Sequence, residues 1–97
     1  MIIKLVEVYE IKNHNARSSY DLREIFINPE QITCLREDSL ATNKLDAGLL
    51  PENLDRRQKF TRIHLNRGMS GIDVTVVGGP ASIKEKLNIE TRTLLKG

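Results

Sequence analysis

A chain of 97 residues is long enough to bury one hydrophobic core and too short for two. Its 39% hydrophobic and 29% charged residues describe a single soluble domain, and 15 Lys+Arg against 13 Asp+Glu, a net charge of +2, exclude a polyanion-coating basic protein and an acidic disordered tail. With Trp absent and only 2 Tyr and 2 Phe, the composition weakens the case for a stacking platform for single-stranded nucleic acid.

Ile2 to Ile11 is a β-branched run with Ile3, Leu5, Tyr9 and Ile11 on one parity and Ile2, Val6 and Val8 on the other, so a long strand covered on both faces is expected. Lys12 to Ser19 has no periodicity and reads as a turn or mobile loop. Tyr20 to Ile27 is a second strand, in which the change of parity between Leu22 and Ile25 suggests a bulge or a one-sided end. Asn28-Pro29 ends it, and Gln31 to Glu37 is expected to turn back and pair antiparallel with it. Asp38 to Arg57 is then a long loop among turn formers; at such a length it is functional, partly disordered, or carries a short helix.

The clearest hairpin follows. Thr61, Ile63 and Leu65 alternate with Arg62, His64 and Asn66, and Ile72, Val74 and Val76 alternate with Asp73 and Thr75 around Arg67-Gly68-Met69-Ser70-Gly71. After Val77-Gly78-Gly79-Pro80 a helix is expected, started either by Pro80 as its first residue or by Ser82 as N-cap with Glu85 reaching back. Either start turns Ile83 and Leu87 onto the sheet, and Asn88 to Gly97 extends the helix or forms a tail.

The stretches Ile27-Asn28-Pro29-Glu30-Gln31-Ile32 and Val74 to Leu87 resemble those of small bacterial FlbD-type flagellar proteins: a strand ending in an Asn-Pro turn before an isoleucine, then a hairpin strand and a Ser-x-x-Glu-x-Leu helix. The chain departs from that pattern in its longer first loop and in the Asp38 to Arg57 segment. Its compact size and economical loops would also suit a small protein of a tailed bacteriophage.

Chemistry-bearing residues are sparse. Cys34, the sole cysteine, cannot form an internal disulfide and lies between Ile32 and Leu35, which reads as a small buried hydrophobe rather than a catalytic thiol. His14 and His64 are far apart in sequence with no metal-ligand spacing. Gly78-Gly79-Pro80 lacks the Gly-Lys-Ser/Thr ending of a phosphate loop, and Pro80 removes a donor. Neither a catalytic residue nor a cofactor or metal site is therefore expected, and the chain is read as a non-enzyme. No run of about 18 apolar residues and no basic leader is present, so a cytoplasmic protein without membrane association is expected.

Charge is uneven. Residues 1–55 hold six Lys/Arg and ten Asp/Glu, a balance of −4; residues 56–97 hold nine and three, a balance of +6. The excess centres on Arg56, Arg57, Lys59, Arg62, His64 and Arg67. With Ile63 and Leu65 inward, Arg62, His64 and Asn66 share the other face, either as a phosphate-contacting stripe or as an ordinary face on which Arg62 pairs with Asp73. Leu45, Leu49, Leu50 and Leu54 are too many for a solvated loop and are expected to order against a partner.

The expected fold is a single α+β domain over 1–97, with about five mostly antiparallel strands in a bent sheet or small open barrel and a C-terminal helix. The expected function is a protein-interaction or assembly module whose partner is itself, as a homo-oligomer, or another protein. The alternative is a small nucleic-acid-binding regulator using the basic hairpin stripe.

Overall fold

The computed structural model describes residues 2–12, 19–68 and 70–96, and of these the side chains of Arg67 and residues 89–96 are not described. His14 with the rest of the expected first loop, and Met69 in the hairpin connection, lie outside the described residues.

The elements run β1 (Ile3–Ile11), β2 (Ser19–Ile27), a 3₁₀ turn (Pro29–Gln31), β3 (Ile32–Glu37), α1 (Ser39–Asp46), β4 (Phe60–Arg67), β5 (Ser70–Val77) and α2 (Pro80–Lys96). The five strands form one open antiparallel sheet in the order β2-β1-β5-β4-β3, and with α2 this is the α+β architecture expected.

The chain enforces the bend of this sheet. Four successive antiparallel pairings make β2 and β3 run in the same direction along opposite edges, yet only residues 28–31 join them. A flat sheet would hold those edges about 19 Å apart, four spacings of 4.7–4.9 Å, and would need a long return along the strand as well. Five residue steps reach at most about 18 Å when fully extended, and the 3₁₀ turn shortens them. The sheet must therefore curl until its edges converge, with β2 and β3 acting as one strand bent at Asn28-Pro29. Asn28 makes the bend by capping the turn, its Oδ1 accepting from Glu30 N at 3.0 Å.

The inner face of the curl carries Ile3, Leu5, Ile27, Ile63, Leu65, Val74 and Val76, which form the main core with Ile83 of α2. Pro80 is the first helical residue, and Ile83 and Leu87 both pack on the sheet. Gly78 makes the corner before the helix with φ +119, and a Cβ there would approach Ile83 Cδ1 to 3.1 Å. On the outer face Phe60 and Val77 are covered by Ala41, Leu45, Leu50 and Leu54, forming a second cluster that also reaches Val8 and Tyr20.

Several expectations are corrected. β3 pairs with β4 and not with β2, because the sheet curls rather than folding back at Asn28-Pro29. The β1–β2 register is continuous from Ile3↔Ile27 to Ile11↔Ser19, with no bulge; the irregularity lies in β3, between Ile32 and Cys34. That shift puts Ile32 and Leu35 inward and turns Cys34 outward, so the thiol is exposed rather than buried. The long loop contains α1, which Asp38 caps by accepting from Ala41 N at 3.1 Å. Leu45, Leu50 and Leu54, expected to order against a partner, pack within this chain: Leu50 is only 5% exposed, beside Phe60. Finally, β1 is not covered on both faces throughout, since Val6 is 38% exposed.

Candidate functional site

The register fixes which polar side chains meet on the outer face. Cys34 stands opposite His64 and Arg36 opposite Arg62 across β3–β4, while His64 stands opposite Asp73 and Arg62 opposite Thr75 across β4–β5. Cys34, Arg36, Arg62, His64 and Asp73 together line a cavity of about 220 Å³. The predicted Arg62–Asp73 pair is thus corrected to His64–Asp73, because the strands continue to Arg67 and resume at Ser70, which moves the register by two residues.

His64 is held on two sides. Its Nδ1 is 2.6 Å from Asp73 Oδ1, and its ring lies over Gly71, where a Cβ would come within 2.6 Å of Nε2. Glycine at that position is what lets the imidazole lie flat on β5. The same geometry turns Nε2 toward β5 and away from Cys34 on β3. No base is thereby aimed at the thiol, whose hydrogen-bond partner is Arg36 Nη2 at 3.8 Å. Among the described residues, no group of three or more His, Cys, Asp or Glu side chains is placed to hold a metal ion.

Beneath the arginines lies Asp38, 4% exposed. Its Oδ2 accepts from the Thr75 hydroxyl at 2.7 Å and sits 3.4 Å from Arg62 Nε, while its Oδ1 caps α1. Burial alone would raise its pKa. The Thr75 hydroxyl, the Ala41 N–H and the Arg62 guanidinium outweigh that burial and hold the carboxyl below its ordinary value.

The other residues expected in a site are dispersed. Arg57 pairs with Asp55 at 3.5 Å and lines, with Lys59, a cavity of about 520 Å³ at the start of α2; Lys59 in turn pairs with Glu37 at 3.5 Å. Arg56 lines a third cavity of about 470 Å³ beside Leu45, Leu50 and Leu54. Leu49 is half-buried, and its carbonyl accepts from Tyr20 N at 3.2 Å. The side chain of Arg67 lies outside the described residues. The structure therefore brings Arg62 and His64 together with Cys34, Arg36 and Asp73, and does not join them to Arg56 or Arg57.

No protein family matches the chain, and no curated protein or solved structure is significantly similar to it. Residues 27–32 form the β2–β3 bend, and residues 74–87 the β5–α2 corner.

A further feature lies at the other end of the outer face. Phe26 is opposite Lys4, and Val6 and Ile2 flank Lys4 on the same parity. Phe26 is 64% and Ile2 58% exposed, because the cover over Phe60 reaches only as far as Val8 and Tyr20. Sequence reasoning passed over Phe26, Arg36 and Asp38. The outward parity of Arg36 after Leu35, and an Asp immediately before the helical stretch Ser39-Leu40-Ala41, were the available signals.

Proposed function

We propose that the protein is a non-enzymatic assembly module that associates with further copies of itself through the Ile2, Val6 and Phe26 patch and the adjoining edge of β2. The observation that carries this reading is the concentration of exposed large apolar side chains at one end of the outer face, which no described residue covers.

The backbone supports the same end. Tyr20 N donates to Leu49 O, and alternation in an antiparallel ladder then points the N–H groups of Leu22, Glu24 and Phe26 outward too. The Leu22 N–H is taken by its neighbour, Asp21 Oδ1, at 2.8 Å. Among the described residues nothing accepts from Glu24 or Phe26, so the edge is open for strand addition next to the apolar patch. A nucleic-acid regulator would need its basic stripe as one surface, whereas Arg56, Arg57 and Arg62 line three separate cavities.

Light scattering across micromolar concentrations tests the reading. A mass above 11.0 kDa that falls to the monomer in Phe26→Glu supports it. A wild-type protein that stays at the monomer mass overturns self-association.

A further inference from the structure

We propose that the cavity between Arg36 and Arg62 is a binding site for one phosphate group, either the free anion or the end of a phosphate monoester.

Two guanidinium-bearing side chains stand directly opposite each other on one sheet face, an arrangement that repels unless an anion lies between them. Neither fork is saturated. Arg62 meets the Asp38 carboxylate through Nε, at 3.4 Å, and that carboxylate already accepts from Thr75 and Ala41. Arg36 has no carboxylate within ion-pair distance among the described residues; its contact is the Cys34 sulfur, a weak acceptor. Both arginines line the same cavity as His64, whose ring is fixed by Asp73 and by the bare backbone of Gly71. The His64 wall of the pocket is thus in place before any ligand arrives.

The chemistry selects the ligand class. A guanidinium presents donors in a planar fork, and a tetrahedral dianion has enough oxygens to accept from two forks at once. Two fixed positive charges disfavour a metal cation. A polyanion is disfavoured in turn, because the cations Arg57 and Lys59, which could extend the contact, are each engaged by a carboxylate elsewhere.

The sole cysteine reports on occupancy, since Cys34 is exposed and lines this cavity. Its alkylation rate with neutral iodoacetamide is measured against inorganic phosphate and, separately, phenyl phosphate, with ionic strength held constant by chloride. Saturable protection of several-fold is expected, half-maximal at about 1 mM, the scale of a single small anion. Protection by both anions places the phosphate group itself in the site; protection by one alone identifies the free anion or the monoester as its form. Arg36→Gln should abolish the protection and Arg57→Gln should preserve it. An amide-resolved NMR titration of the wild type should move residues 34, 36, 62, 64 and 73 together. Protection by neither anion, equal protection by chloride, or full protection in Arg36→Gln would overturn the proposal, as would an oligonucleotide that protects where both small anions fail. A monomeric protein that still shows saturable phosphate protection would overturn the assembly reading and leave this one standing.

Discussion

The Thr75 hydroxyl donates to Asp38 Oδ2 at 2.7 Å, and through that one carboxylate the cap of α1 is fastened to the middle of β5. The backbone takes part as well, since Asp38 N donates to Phe60 O at 2.9 Å and continues the β3–β4 ladder past its last residue. A single buried side chain thus decides where the covering segment lies on the outer face.

Asp38→Ala should destabilise the fold by about 2–4 kcal/mol, combining loss of the helix cap with a Thr75 hydroxyl and an Arg62 guanidinium left without their acceptor. Asp38→Asn keeps an acceptor for Ala41 and should cost less. Urea denaturation of both variants checks the order, and equal losses would show that the contacts to Thr75 and Arg62 matter and the cap does not.

The same carboxyl makes stability depend on acid. Its pKa is lower in the folded than in the unfolded chain, so the unfolded state takes up the proton first as pH falls. The stabilisation is complete above the ordinary carboxylate range and is lost as pH drops through the folded value. Thermal midpoints of the wild type should therefore fall across that acid window, and Asp38→Asn should flatten the fall.

Gly71→Ala places a methyl group 2.6 Å from the present position of His64 Nε2. An exposed ring can swing aside, so the cost should stay near or below about 1 kcal/mol, but the contact with Asp73 Oδ1 should be lost. The check is a structure of the variant, in which the His64 ring should stand away from Asp73; a ring still within hydrogen-bond distance of Asp73 Oδ1 would refute it.

Leu50→Ala should cost about 2–5 kcal/mol, the range for a buried leucine, because Leu50 packs beside Phe60 and Ala41. Removal of residues 39–53 should likewise abolish cooperative unfolding. A deletion that unfolds as sharply as the full chain would show that the covering segment is dispensable to the core.

The β4–β5 hairpin was legible because alternation of Ile63 and Leu65 with Arg62 and His64 states directly which side chains face inward. Alternation does not state which strand lies alongside. β3 was therefore given the wrong neighbour, although Ile32 and Leu35, an odd spacing apart, already recorded the register shift that exposes Cys34. The site suffered from the same gap. Arg62 and His64 were identified on one face, but Arg36 and Asp73 join them only once the order of the strands and their register are known. Asp38 precedes a helical stretch, which signals a cap, but nothing local reveals its second partner Thr75, which is distant in sequence.

The seam between β1 and β5 rests on two register pairs, Glu7↔Val76 and Val8↔Thr75. It joins the ends of the chain, so the β1–β2 hairpin and the β3–β4–β5 meander can each assemble early, whereas the sheet closes only after a large loop-entropy loss. Folding should accordingly be slow for so small a domain, with seam closure as the late event. In native-state hydrogen exchange, the amides at the seam should report a sub-global opening that parts the hairpin from the meander before either one melts.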